Sequence, residues 1–493
     1  MSNTILRAPS EAGEPTLGRT IPDLLDEACR DNPNDAALNQ FTGQGWESLG
    51  TQELCRGAEE LALGLQSLGL EKGDRVALYM HSDVDFCLVD VGCILAGIVD
   101  VPIYLTHADE VVHYVLEHSG SRMAVATDRE LLETLLPLVG DLDRLEYLLL
   151  AEEIRESARA EVERRLEATQ LLTVAELRTR GAERLADEPD APRRLRERID
   201  PDDLATIIYT SGTTGEPKGV ELTHQNVTSN ALDSFAGLSG LERGPQEVAI
   251  SFLPLTHVFQ RTMQYGFMNY GHTVYFTEPE DLGRDFPEVR PTIFATVPRI
   301  LERVLEKIQV RGSELEGWRR RIFDFAMEQA RDHEVGRSYG PWDRVQHALA
   351  DFFVYRRWRK AVGGRTKFII SGGAALRPEI VELFDAAGIT ILQGYGLTET
   401  SPVISFNRPE DNRPGTVGVP IAGVEAKIAE DGEILTRGPH VMRGYYEDEA
   451  ATREVVDEDG WFHTGDVGAI EEGHLRVTDR KKSLFKLSTG KYV

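Results

Sequence analysis

Ten consecutive residues constrain this chain more than any others: Thr210-Ser211-Gly212-Thr213-Thr214-Gly215-Glu216-Pro217-Lys218-Gly219. They follow an apolar, β-rich run, Leu204 to Tyr209, that reads as a buried strand. The strand thus empties into hydroxyls, glycines and one lysine. Glycines let backbone N–H groups turn inward around an anion without Cβ clashes. The hydroxyls add donors and Lys218 adds positive charge, so a polyphosphate is the natural guest. The spacing is not that of the common NTPase phosphate loop, which needs glycine, four residues and then Gly-Lys-Ser/Thr. Here Glu216 and Pro217 separate Gly215 from the lysine, and no hydroxyl follows Lys218. The plain alternative is a polar turn between two strands.

The bulk properties narrow the partners. A chain of 493 residues is too long for one compact core, so two to four domains are expected. Lys and Arg number 54 and Asp and Glu 82, a formal net charge of −28. That argues against nucleic acid, whose phosphates would be repelled. It also argues against broad electrostatic docking on anionic lipid, while leaving a peripheral membrane contact open. The longest apolar stretch, Cys93 to Leu105, is broken by Asp100 and Pro102 and is too short to span a bilayer. Met1 to Pro22 is polar and has no apolar signal core. Of the four cysteines, Cys29, Cys55, Cys87 and Cys93, none forms a CxxC pair, and the last two read as core residues. Neither a disulfide framework nor a metal cluster is expected from them. That points to a reducing cytosol and a cytoplasmic protein.

The periodicities predict an α/β protein. Residues 1–20 read as a flexible arm. Residues 21–200 alternate helices (21–30, 52–68, 88–96, 108–119) with strands (75–80, 99–104, 123–126), a doubly wound pattern. Its last part, 152–200, is rich in Glu, Arg, Leu and Ala and reads as a solvated, charged helical linker. A second α/β subdomain is expected over 201–414, interrupted by a helical insert at 299–362 with apolar residues at helical spacing. Short strands with Gly turns over 415–478 predict a small β-barrel.

Further candidate residues cluster after strands. Phe368-Ile369-Ile370 opens onto Ser371-Gly372-Gly373-Ala374-Ala375, where small residues let a flat ring approach the backbone. Thr390 to Gln393 leads into Gly394-Tyr395-Gly396-Leu397-Thr398-Glu399-Thr400. His257 follows a strand and a Pro turn among apolar residues, with Phe259 beside it. Asp466 ends Gly460-Trp461-Phe462-His463-Thr464-Gly465-Asp466, and a strand-end Asp can accept two hydrogen bonds from a ribose diol. Arg480 lies in Val477-Thr478-Asp479-Arg480-Lys481-Lys482.

These strings, in this order over residues 20–493, resemble the adenylate-forming (AMP-binding) superfamily. The Thr-Val-Pro-Arg-Ile string at 296–300 and the helical insert resemble its long-chain fatty acyl-CoA synthetase branch. The resemblance implies two doubly wound α/β subdomains plus a small β-barrel, with residues 479–493 as a hinge and the start of a further domain. It implies ATP bound by Thr210, Ser211, Gly212, Thr213, Thr214, Gly215, Gly373, Ala374, Gln393, Gly394, Tyr395, Gly396, Asp466 and Arg480. Tyr395 would stack on adenine, Asp466 and Arg480 would hold the ribose, and Thr398 would reach phosphate oxygens. Glu399 and Thr213 would hold Mg²⁺, Lys218 would offset pyrophosphate charge, and His257 would line the acyl entrance. The implied partners are a fatty acid, ATP and coenzyme A, joined through an acyl-adenylate. The chain ends at Lys491-Tyr492-Val493, where the family pattern implies a C-terminal lid domain, so an impaired fragment is expected. Two alternatives remain at this point: an acyl-AMP ligase that loads a carrier protein, and a non-catalytic nucleotide-binding module.

Overall fold

The run before the glycine loop does fold as a buried strand, Leu204–Thr210, inside an eight-stranded sheet. The computed structural model describes residues 4–166, 168–210, 216–336 and 340–481. The strand order of that sheet is Gly444–Tyr445, Lys218–Thr223, Leu204–Thr210, Val99–Pro102, Arg75–Tyr79, Met123–Ala126, Tyr147–Leu150 and Gln170–Thr173. Neighbours are parallel from Leu204–Thr210 onward, and the two preceding strands are antiparallel. A nine-stranded sheet runs Val419–Pro420, Val403–Phe406, Thr390–Gly396, Phe368–Ser371, Ile293–Thr296, Val248–Ser251, Thr273–Phe276, Leu38–Phe41 and Trp46–Leu49. Met123–Ala126, Ile293–Thr296 and Phe368–Ser371 are buried at every residue. Parallel strands covered on both faces demand such continuous apolar runs, which is the doubly wound α/β arrangement.

The third sheet is antiparallel, in the order Leu6–Arg7, Glu425–Ile428, Glu433–Arg437, Phe462–Glu471 and His474–Arg480. Its two outer strands do not pair with each other, so its hydrogen bonding is that of an open sheet. The helical insert consists of Pro298–Ser313, Gly317–Arg331 and a third helix. That third helix continues from Pro341–Ala350 through a π turn, Asp351–Tyr355, to Arg356–Ala361. No helix among the described residues is long and apolar enough to cross a membrane.

Three expectations are corrected. Part of the supposed flexible arm is tied down: Leu6–Arg7 pairs with Glu425–Ile428, and the Thr16 amide and hydroxyl donate to Asp233 at 3.1 and 2.7 Å. The 152–200 segment is more than a wet linker. It supplies the edge strand Gln170–Thr173 and the helix Val174–Asp187, with Leu171, Leu172 and Leu177 buried. That helix packs backbone to backbone on Thr51–Ser67. A Cβ on Gly181 would collide with the Glu60 carbonyl, and one on Gly64 with the Leu177 carbonyl. Arg178 reaches across that seam to the buried Glu60 at 2.9 Å, while Arg180, Glu183 and Asp187 are exposed, and these charges masked the apolar face in the composition. Finally, Cys29 and Cys55 form a disulfide between Ile21–Asp31 and Thr51–Ser67, their Cα atoms 7.1 Å apart. Helix packing, invisible in the spacing, brings them together, so cysteine usage no longer argues for a reducing compartment. Cys87 and Cys93 are buried thiols, as expected.

Two measurements test this packing. Gly181→Ala should destabilise the protein by about 1–3 kcal/mol through overpacking. Gly140→Ala, where nothing lies within 4 Å of the new methyl, should be nearly neutral in the same denaturant titration. The second concerns His224, whose Nδ1 accepts the Ile21 N–H at 3.2 Å and whose pKa is pushed down to about 4 by burial. The folded value lies below the unfolded one, so its contribution is intact above the ordinary imidazole pKa and lost as pH falls through about 4. The stability gap between the parent and His224→Asn should therefore shrink by up to about 3 kcal/mol between pH 7 and 4. A constant gap would contradict the burial of a neutral ring.

Candidate active site

Thr390–Gly396 and Phe368–Ser371 are parallel neighbours, and their carboxyl ends open together on a cavity of about 500 Å³. Such strand ends are where open α/β sheets bind ligands. The glycines here are sterically required. Gly373 sits at φ +77°, and a Cβ on Gly396 would collide with the Pro402 carbonyl. Thr210, His257, Gly373, Gly394, Tyr395, Gly396, Thr398, Glu399 and Arg480 all line this one cavity. Residues separated by nearly the whole second half of the chain thus converge.

The remaining sequence candidates fall at different distances. Asp466 joins through Tyr395, whose hydroxyl donates to its Oδ2 at 2.7 Å. Arg480 Nε lies 3.6 Å from Asp466 Oδ1, across the register pair Asp466–Arg480 of two antiparallel strands. Burial pushes the Asp466 carboxyl above its ordinary range, while Tyr395 and Arg480 pull it back. Gln393 is buried below the cavity floor, and Ala374 is exposed just beyond Gly373. Ser211, Gly212, Thr213, Thr214 and Gly215 lie outside the described residues. Lys218 is not in the cavity wall. Its ammonium sits 4.9 Å from the centroid of the Tyr445 ring and 3.9 Å from Asp448.

Tyr445, which sequence reasoning did not single out, contacts the cavity wall through Glu399. Its hydroxyl donates to Glu399 Oε1 at 3.0 Å, so one ring links the Glu399 carboxylate to the Lys218 ammonium. The link exists because Tyr445 pairs with Val220, two residues beyond Lys218, and Gly444 with Glu221. The sequence showed a short strand at 443–446 but not its partner. Among the described residues Glu399 makes no ion pair, and no three His, Cys, Asp or Glu side chains cluster as a metal site.

The other half of the cavity is apolar: Phe235, Leu238, Phe259, Met263, Ile370 and Phe406. His257 lines the same cavity as the N-cap of Val258–Tyr270, its Nδ1 accepting the Phe259 N–H at 3.1 Å. Enclosure by the surrounding protein holds its pKa below the ordinary imidazole value. Tyr104 and His107 complete this wall from the first sheet, their rings 5.2 Å apart. Burial pushes the Tyr104 phenol up to about 12. Neither had been singled out, because the loop after Val99–Pro102 carries no motif.

The chain matches the AMP-binding enzyme family over residues 25–446. It is 34% identical over 477 residues to the long-chain-fatty-acid–CoA ligase FadD15 of Mycobacterium bovis, covering 95% of this chain and 76% of that protein. It is 32% identical over 478 residues to long chain acyl-CoA synthetase 7, peroxisomal, of Arabidopsis thaliana, covering 93% and 65%. The chain thus spans about two thirds to three quarters of the length of these relatives. Among solved structures, the N-terminal domain of FACL13 from Mycobacterium tuberculosis has a TM-score of 0.66 at 22% identity, covering 94% of this chain and all of that one. The anthranilate CoA ligase AuaEII, in complex with anthranoyl-AMP, has a TM-score of 0.71 at 18% identity, covering 97% and 81%. At those identities the structural likeness is one of fold. The chain itself belongs to the AMP-binding enzyme family.

Proposed function

We propose that this protein activates a long-chain fatty acid with ATP and passes the acyl group to coenzyme A. The observation that carries the reading is that one cavity has both a polar half with Tyr395, Thr398, Glu399 and Arg480 and an apolar half with Phe235, Phe259 and Met263. A nucleotide and a hydrocarbon tail need those two surfaces side by side. The relatives' ligase names support the same substrate class. In the first step the fatty carboxylate oxygen attacks the α-phosphorus and pyrophosphate leaves. In the second the coenzyme A thiolate attacks the acyl carbon and AMP leaves. A carboxylate is a weak nucleophile, so alignment and charge neutralisation carry the catalysis.

The roles inferred for single residues combine this cavity lining with the family resemblance. Tyr395 offers a ring face to adenine, while Asp466 and Arg480 flank the place for a ribose. Thr398 and the 210–215 loop would donate to phosphate oxygens, and Lys218 would offset pyrophosphate charge. Mg²⁺ fits the donor set, because this cation is commonly held by one or two carboxylates plus substrate phosphates. Glu399, with Thr213, would hold it, and bound there it would supply neutralisation of the phosphate charge. Tyr445 would steady the Glu399 carboxylate through its hydrogen bond to Oε1.

Fatty-acid-dependent ATP–pyrophosphate exchange by this chain, scanned from acetate to stearate, should peak with long chains. Glu399→Gln should lower exchange by on the order of 10²-fold or more. A peak at acetate would overturn the substrate class, and no exchange together with no saturable ATP binding would overturn adenylation. Tyr445→Phe should raise the Mg²⁺ concentration for half-maximal exchange by about tenfold, the scale of one hydrogen bond to a charged group. An unchanged Mg²⁺ dependence would remove Tyr445 from the site.

A further inference from the structure

The helical insert exposes a surface that chemistry in the cavity does not use. Among the described residues eight large hydrophobic side chains are exposed, and six of them lie between Val310 and Phe352. Four belong to the single continuous helix 341–361: Trp342, Val345, Leu349 and Phe352, exposed by 70, 50, 50 and 61%. Spacings of three, four and three put them on one face. The opposite face holds the helix in place. Ala350, Val354, Tyr355 and Trp358 are buried, and the Tyr355 hydroxyl donates to the Ala326 carbonyl at 2.7 Å.

The charges along this helix are as lopsided as its apolar residues. Its exposed charged residues are Arg344, Arg356, Arg357 and Lys360, all cations, in a chain of net charge −28. Its two carboxylates are engaged locally: Asp351 pairs with Arg359 at 2.7 Å, and Asp343 accepts the Gly340 N–H at 3.3 Å. The Arg356 guanidinium lies 5.3 Å from the centroid of the Phe352 ring, placing a cation directly beside the apolar stripe.

We propose that this face is an interfacial helix that seats the protein on an anionic bilayer. Tryptophan and phenylalanine beside arginines match the boundary between acyl chains and anionic headgroups. A symmetric contact with a second copy would set the same cations against themselves. At physiological ionic strength charges are screened beyond about 8 Å. The local cations therefore decide the contact, and the acidic remainder only fixes which side faces the lipid. The helix, roughly 30 Å long at 1.5 Å per residue, is long enough to lie along the surface. The inference rests on surface chemistry and is independent of the proposed reaction.

Flotation of this 493-residue chain with phosphatidylcholine vesicles, with and without an equal part of phosphatidylglycerol, tests it. Binding should require the anionic lipid and weaken with added salt. Trp342→Ala/Phe352→Ala and Arg356→Glu/Arg357→Glu should each reduce it at least tenfold with unchanged thermal midpoints. If the apolar pair loses its melting transition, the charge pair decides. Leu17→Ala, an exposed apolar residue outside the insert, should change nothing. Absence of vesicle binding, or binding that both double variants retain, would overturn the proposal. A wild-type dimer in sedimentation that both double variants dissolve would also overturn it, assigning the face to a second copy.

Discussion

A buried ion cluster around Arg261 fixes the geometry on which the site depends. Arg261 is on the helix Val258–Tyr270, whose first turns carry His257, Phe259 and Met263 into the cavity. Its Nη1 donates to Asp100 at 2.7 Å and to Thr206 at 3.0 Å, its Nη2 also bonds Asp90, and its Nε donates to the Tyr265 hydroxyl at 3.0 Å. Asp100 and Thr206 lie on the neighbouring strands Val99–Pro102 and Leu204–Thr210, and the second of these delivers the glycine loop. One guanidinium thus ties the apolar wall to the strand that leads to the Thr210–Gly219 sequence. Burial pushes the Asp90 carboxyl well above its ordinary range, the electrostatic strain of two carboxylates around one cation. Removing one partner from such a buried cluster typically costs about 3–5 kcal/mol, because an uncompensated charge stays behind.

With that frame fixed, the site is assembled by pairwise links between elements far apart in the chain. Tyr395 and Asp466 are joined by a 2.7 Å hydrogen bond, and Tyr445 bridges Glu399 and Lys218. The first joins the nine-stranded sheet to the antiparallel one, and the second joins the turn after Thr390–Gly396 to the paired strands Gly444–Tyr445 and Lys218–Thr223, so the polar half of the cavity draws on all three sheets. The apolar half needs no such links. It is the place where Phe235, Phe259 and Phe406 leave space between packed elements.

Much of this was legible in the sequence, for identifiable reasons. Parallel strands are buried on both faces, so Leu204–Thr210, Met123–Ala126 and Phe368–Ser371 announced themselves as unbroken apolar runs. The glycines Gly372 and Gly373 after Phe368–Ser371 marked one wall of the cavity. What was hidden depends on tertiary pairing. Tyr445 matters only because its strand sits beside Lys218–Thr223. Cys29 and Cys55 meet only because two helices pack. Asp90, Asp100 and Arg261 look like surface charges in a one-dimensional reading and prove to be core. The 152–200 segment was misread because its outward charges outnumber the few leucines that hold it to the sheet.

The central claim is that a nucleotide and an acyl chain occupy one cavity together. Calorimetric titration of this chain with AMP and with non-hydrolysable acyl-adenylate analogues bearing two, eight and sixteen carbons tests it most directly. At about 0.8 kcal/mol per buried methylene, affinity should climb steeply with length, and the sixteen-carbon analogue should exceed AMP by at least about a hundredfold. Equal affinities for AMP and every analogue would mean that the apolar half of the cavity does not receive the chain, and the account would fail at its core.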